Sequence, residues 1–75
     1  MSGGATADAL RVEVNGCERR YAAGATIADI VVAMGVAGKR IAVERNGEIV
    51  PRSRHAETAV ANGDRIEIVG AVGGG

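Results

Sequence analysis

Three Asn-Gly pairs, at 15–16, 46–47 and 62–63, constrain this chain more than any other feature. Asn-Gly is the favoured pair for a tight hairpin turn, because Asn tolerates left-handed backbone and Gly has no Cβ to clash there. The first pair is bracketed by strand patterns. Leu10-Arg11-Val12-Glu13-Val14 alternates apolar and charged, the period of a half-buried strand, and Cys17 to Ala22 returns as its partner. A two-residue loop sets Val14 opposite Cys17, Val12 opposite Arg19 and Leu10 opposite Tyr21. The same register places Glu13 against Glu18 and Arg11 against Arg20, which is unfavourable unless diagonal pairing relieves it.

After Ala23-Gly24-Ala25, Thr26 suits a helix N-cap, and Ile27, Ile30, Val31 and Met34 recur at the spacing of one helical face. Asp29 falls at the third helical position, where its charge complements the helix N-terminus, and Gly35 and Gly38 end the helix within about three turns. Arg40 to Arg45 resumes a strand with Ile41 and Val43 on one face. Beyond the second turn, Glu48-Ile49-Val50 is a short strand stopped by Pro51, which places it at a sheet edge. Arg52 to Ala61 has no clean period and reads as a loop with one helical turn around Ser53 to Glu57. The third turn leads into Arg65-Ile66-Glu67-Ile68-Val69, a strand with Ile66 and Ile68 inward.

One amphipathic helix covering one face of one small sheet makes an α+β domain. Its expected extent is residues 10–69, with a mobile leader at 1–9 and a flexible Gly-rich tail at 70–75. The core must come from aliphatic residues, since Tyr21 is the sole aromatic among 75 residues. Such a core supports only modest stability.

Nine basic and nine acidic residues cancel, and the signs interleave. This balance gives no electrostatic reason to bind nucleic acid or an anionic membrane. No apolar run reaches the length of a membrane span or a secretory signal. The one cysteine, Cys17, rules out an internal disulfide, and the expected location is cytoplasmic. Four-cysteine iron–sulfur ligation is excluded by the same count.

Cys17 follows a turn beside Glu18 with no basic constellation to activate it, so it reads as a small, partly buried core residue rather than a sulfur relay. His55 has no second His or Cys at ligand spacing and reads as a loop histidine. Arg52 and Arg54 read as a solvated loop, with a docking surface for an acidic partner as the alternative. No nucleophile–base pair, phosphate loop or acidic metal cluster is present, so independent catalysis has no residues to carry it. What remains is the end of the sequence, Val69-Gly70-Ala71-Val72-Gly73-Gly74-Gly75.

Tyr-Ala-Ala-Gly-Ala-Thr-Ile (21–27), Val-Glu-Arg-Asn-Gly-Glu-Ile-Val-Pro-Arg (43–52), and Gly-Asp-Arg-Ile-Glu-Ile-Val (63–69) with Val-Gly-Gly-Gly (72–75) together resemble the sulfur carrier proteins of thiamine biosynthesis, the ThiS family. The likeness covers 10–75 and departs at Gly70-Ala71, where larger side chains are common in that family. The resemblance implies a ubiquitin-like β-grasp: a mixed four- to five-stranded sheet under one main helix, with first and last strands parallel and adjacent at its centre. It implies a non-enzyme whose Gly75 carboxylate is adenylated by a ubiquitin-activating-type adenylating enzyme. ATP and magnesium are used by that partner, and no cofactor is bound by this chain. Sulfur from a cysteine desulfurase or other donor then yields a thiocarboxylate on Gly75, which a thiazole synthase consumes.

The tail suits such chemistry. An ionised carboxylate resists nucleophilic attack until it carries a good leaving group. Gly73 and Gly74 lack side chains, so the backbone can thread a narrow channel, and residues 70–75 extended reach about 20 Å. The outward residues of the last strand, Arg65, Glu67 and Val69, together with Val72, are the expected docking surface. Two other functions share these features: the small subunit of a molybdopterin synthase, and a β-grasp interaction module with an inert tail.

Overall fold

The computed structural model describes residues 9–70. Residues 1–8 of the expected leader and the residues beyond Gly70, including Val72, Gly73, Gly74 and Gly75, lie outside this range, whereas Ala9, expected in the leader, opens the first strand by pairing with Ala22. The elements are β1 (Ala9–Val14), β2 (Cys17–Ala22), α1 (Ile27–Ala33), β3 (Ile41–Arg45), β4 (Glu48–Val50), a 3-10 helix (Arg52–Glu57) and β5 (Arg65–Gly70). They form one five-stranded mixed sheet in the order β2-β1-β5-β3-β4. The fold is the ubiquitin-like β-grasp.

Both hairpins follow from their Asn-Gly turns. Asn15 and Asn46 each adopt φ of 51°, followed by Gly16 at 86° and Gly47 at 88°. Positive φ at both central residues gives the twist that right-handed strands need, and a Cβ at either glycine would strain it. The β1–β2 register is the one a two-residue loop dictates, from Val14 opposite Cys17 to Leu10 opposite Tyr21. The like-charge pairs it creates are relieved diagonally, with Arg11 Nε 3.6 Å from Glu18 Oε2. Both side chains are exposed, so this pair offsets repulsion more than it adds stability.

Helix α1 is capped as Thr26 and Asp29 require. The Asp29 N–H donates to Thr26 Oγ1 at 3.2 Å, and the Thr26 N–H donates to Asp29 Oδ2 at 2.9 Å. Two of the helix's orphan donors are thereby satisfied reciprocally. The helix is shorter than three turns, ending at the Met34 cap before Gly35 at φ 76°. Ile27, Ile30 and Val31 are buried beneath it, and Met34 packs at the rim.

The core joins this stripe to Val12 and Val14 of β1, Val43 of β3 and Ile66 of β5. Two further core residues come from segments without periodicity. Ala25 and Val60 are buried where the Val60 N–H donates to the Ala25 carbonyl at 2.9 Å and Thr26 bridges Ala59. This short pairing ties the helix start to the stretch after the 3-10 helix. That 3-10 helix itself runs longer than the single turn expected, beginning at Arg52 directly after Pro51.

Tyr21 is half-buried at the core's edge, and its hydroxyl is buried without a partner among the described residues. A buried donor left unpaired costs about 1–3 kcal/mol of desolvation. Tyr21→Phe is therefore expected to keep or raise the melting temperature in a thermal melt, with a gain of up to about 1 kcal/mol. A loss of more than about 1 kcal/mol would show that the hydroxyl is bonded in solution.

Candidate functional site

Strand β5 holds the centre of the sheet and leads into the glycine tail. It pairs parallel to β1 at Glu13–Arg65 and Val14–Ile66, and antiparallel to β3 from Arg45–Ile66 up to Ile41–Gly70. The strand thus continues through Gly70, one residue past the expected end at Val69, because β3 still offers Ile41 as a partner there. Five residues remain beyond it, with a maximal reach of about 17 Å.

The two turn asparagines fasten β5 from opposite sides. The Asn15 N–H donates to the Ile66 carbonyl at 2.9 Å. Its side-chain amide then takes the place of the next peptide unit. Asn15 Oδ1 accepts from the Ile68 N–H at 2.7 Å and Nδ2 donates to the Ile68 carbonyl at 3.2 Å. On the other side the Asn46 N–H donates to the Arg65 carbonyl at 2.8 Å, and Asn46 Oδ1 accepts from the Arg65 N–H at 2.9 Å. The base of the tail is therefore anchored at residues 65 to 68 by side chains whose first role is to shape turns.

Asp64 locks the strand's entrance. Its carboxylate is buried, accepting from Arg45 Nε at 2.7 Å, Asn46 Nδ2 at 3.0 Å and the Ala61 N–H at 2.8 Å. Burial alone would raise its pKa, but the bonds from Arg45, Asn46 and Ala61 and the charge of Arg45 outweigh it, so the pKa falls below the usual 3.8. A depressed carboxylate stabilises the fold fully above its unfolded pKa, and that contribution is lost as pH falls through the lower folded value. Asp64→Asn is expected to cost about 2 kcal/mol near neutral pH in urea denaturation. Wild type and variant should converge as the pH drops below about 3.8. A constant gap across that range would remove the charge from the account.

The outer face of β5, turned away from the helix, carries the residues expected for docking. Arg65, Glu67 and Val69 are all exposed there. Arg65 Nε lies 4.0 Å from Glu13 Oε2, and Glu67 stands opposite Glu44. Val69 stands opposite Ala42, and Ile49 opposite Glu44 on the same face. Val69 is 53% and Ile49 60% exposed. Val69 and Ala42 thus make an apolar row next to the tail, and Ile49 lies in the row below with Glu44 and Glu67, while the β1–β2 half is charged. The expected set did not include Ala42 and Ile49; strand pairing sets Ala42 beside Val69 and Ile49 beside Glu44 on the next strand.

The remaining singled-out residues fall elsewhere. Cys17 is exposed, not part of the core. Its register with Val14 turns it toward the helix side, but β2 is an outer strand on which only Tyr21 gains shelter. His55 sits half-buried in the 3-10 helix, with Nε2 3.0 Å from the Val50 carbonyl, so it ties that helix to β4. Arg54 pairs with Glu57 at 3.7 Å on the surface. Arg52 donates to the Lys39 carbonyl at 2.7 Å. Among the described residues no three His, Cys, Asp or Glu side chains are grouped to hold a metal, and no helix is long and apolar enough to cross a membrane.

Comparison with known proteins gives this arrangement a lineage. Residues 8–75 match the model of the ThiS family. A 66-residue stretch, 88% of this chain, is 44% identical to a thiazole synthase of Paramagnetospirillum magneticum, of which the match covers 20%. The sulfur carrier protein ThiS of Bacillus subtilis is 42% identical over 50 residues, covering 67% of this chain and 76% of that protein. The crystal structure of a thiamine biosynthesis protein (ThiS) from Geobacter metallireducens superposes with a TM-score of 0.70 at 31% identity, covering 88% of this chain and 100% of that one. The chain spans only about a fifth of the length of the thiazole synthase it matches. With its closing strand pinned at the sheet centre and a Val-Gly-Gly-Gly sequence following, this chain belongs to the ThiS family.

Proposed function

We propose that this chain is a protein-borne sulfur donor whose Gly75 carboxylate is converted to a thiocarboxylate and delivers that sulfur for thiazole formation. The observation that carries the reading is the anchoring of β5, fixed on both sides up to Ile68 and followed within two residues by the glycine-rich end. A rigid handle and a side-chain-free tip suit a substrate that another protein must thread into its own active site. Family membership and the likeness to a sulfur carrier support the same reading.

The reaction runs on partners. A carboxylate oxygen of Gly75 attacks the α-phosphorus of ATP on an adenylating enzyme, with pyrophosphate leaving and magnesium held by that enzyme. The terminal sulfur of a persulfide from a desulfurase-type donor then attacks the acyl carbon, and AMP leaves. A thiol reduces the resulting acyl disulfide to the thiocarboxylate. The apolar Val69–Ala42 pair, with Arg65, Glu67, Val72 and the exposed Ile49, supplies the docking surface. The sequence shared with a thiazole synthase supports thiazole formation as the destination and a thiazole synthase as the consuming partner. The mechanism requires Gly75 to be the free terminus in the working protein.

Reconstitution tests this directly. The chain is incubated with a ubiquitin-activating-type adenylating enzyme from the same organism, ATP, magnesium and a persulfide donor, then weighed by intact mass spectrometry. A gain equal to the mass difference between sulfur and oxygen is expected, dependent on ATP. An unchanged mass under conditions that load the Bacillus subtilis carrier with its own enzymes would leave an interaction module as the better description.

A further inference from the structure

The end of the sheet from which the tail departs carries a concentration of positive charge that the net charge of zero conceals. Ile41 pairs with Gly70, so Arg40 and Lys39 immediately precede the residue that flanks the base of the tail. Arg52 is drawn to the same place by its bond to the Lys39 carbonyl at 2.7 Å. All three residues are exposed. Among the described residues none of the three makes an ion pair, whereas Arg11, Arg45, Arg54 and Arg65 each do.

Carboxylates are placed away from this end. Glu44 and Glu67 face each other three residues below Gly70, about 10 Å down the sheet. Glu48 pairs with Arg45 at the far end of β3, and Asp29 lies in the first turn of α1. Glu57 closes the 3-10 helix that Arg52 opens and is held by Arg54. The cationic residues thus form an unneutralised collar around one side of the tail's base.

We infer that Lys39, Arg40 and Arg52 are an electrostatic docking collar for an acidic rim on the protein that receives the tail. The inference rests on the carrier reading in one respect: it takes the receiving partner to be the adenylating enzyme. The collar sits beside the apolar Val69–Ala42 pair, giving the interface a small apolar contact next to a charged margin. Unpaired surface charge of this kind contributes to encounter rate and orientation more than to final affinity. It is also the arrangement that guides a glycine tail, which has no side chains to be recognised, toward its channel.

The test measures association of the full chain with its adenylating enzyme by biolayer interferometry at low salt and at several-fold higher salt, with sulfur loading read separately by mass. Lys39→Gln/Arg40→Gln removes two collar charges and leaves the Arg52 bond to the Lys39 backbone carbonyl in place. Arg19→Gln/Arg20→Gln is the control; it makes the same charge change on β2, roughly 20–25 Å from Gly70 by register. The collar variant is expected to lose about tenfold in association rate at low salt, with the gap closing at high salt, while the control stays within about twofold. Equal rates for collar and control variants, a wild-type rate indifferent to salt, or no binding at all would overturn the collar. A defect confined to the KM for ATP would overturn it in favour of a nucleotide contact. Wild type that binds with the expected salt dependence yet gains no sulfur overturns the carrier reading alone. Normal loading with a collar variant that binds like the control overturns the collar alone.

Discussion

Deleting Gly75, or replacing Gly74 with Val, is expected to abolish the proposed thiocarboxylate formation while the domain melts as wild type does. The deletion moves the terminal carboxylate about 3.3 Å back along the tail, which takes the attacking oxygen out of line with the α-phosphorus of ATP. A misplacement of about 1 Å can cost a hundredfold, so a whole-residue shift leaves no measurable reaction. The Gly74→Val change acts differently. It leaves the length unchanged but adds a β-branched side chain one residue from the reacting atom, where a narrow channel has room for backbone only. Both positions follow β5 in sequence and belong to none of the described strands or the helix that build the core, so both variants should unfold at the wild-type temperature. Thermal melts and intact mass spectrometry on the same samples separate the two effects. Loading at the wild-type rate in either variant would contradict the tail's role.

The second large effect is on stability. Ile66→Ala removes a fully buried side chain from the central strand, where it packs with Val14, Val43 and the helix stripe. Comparable truncations cost about 2–5 kcal/mol, and a site enclosed by both sheet and helix falls in the upper part of that range. A domain of this size has roughly 4–11 kcal/mol in total. The variant should therefore unfold at much lower urea concentration and lose sulfur loading at growth temperature through unfolding, not through chemistry. Val69→Ala is the matching control on the outer face. It should change stability by less than about 1 kcal/mol while weakening partner association. If Ile66→Ala and Val69→Ala had the same unfolding midpoint, the assignment of inner and outer faces would be wrong.

These effects divide along lines that the sequence makes visible only in part. Features set by near neighbours could be read directly. The Asn15-Gly16 loop fixes the β1–β2 register, Thr26 with Asp29 fixes the helix start, and Pro51 keeps β4 at the edge. The parallel pairing of β1 with β5 is different. It joins Val14 to Ile66 across the length of the domain, and no local period encodes it; only the resemblance of segments 21–27, 43–52 and 63–69 to a known family implied it.

Side chains that act across strands were less legible still. Asp64 looks like an ordinary turn residue after Asn62-Gly63, yet it binds Arg45 and Asn46 from a different hairpin. Asn15 and Asn46 were readable as turn formers but not as clamps on β5, because their partners are 53 and 19 residues away. Cys17 shows the opposite failure. Alternation places it on the covered side of β2, but an outer strand beside a seven-residue helix leaves its first position in solvent. Ala25 and Val60 enter the core through a single bridge between two irregular segments, where periodicity carries no information. The docking patch is intermediate: alternation identifies Val69 as outward, and only the sheet order adds Ala42 and Ile49 to it.

In the proposed mechanism the chemistry is concentrated at one atom group, the Gly75 carboxylate, and the rest of the domain holds it. The measurement that tests this most directly is a mass spectrum of the C-terminal peptide from the protein isolated from cells grown without thiamine. The account predicts a fraction of that peptide heavier by the difference between sulfur and oxygen, with the change confined to Gly75. A peptide of unmodified mass throughout, from cells that are making thiazole and depend on this chain to do so, would contradict it.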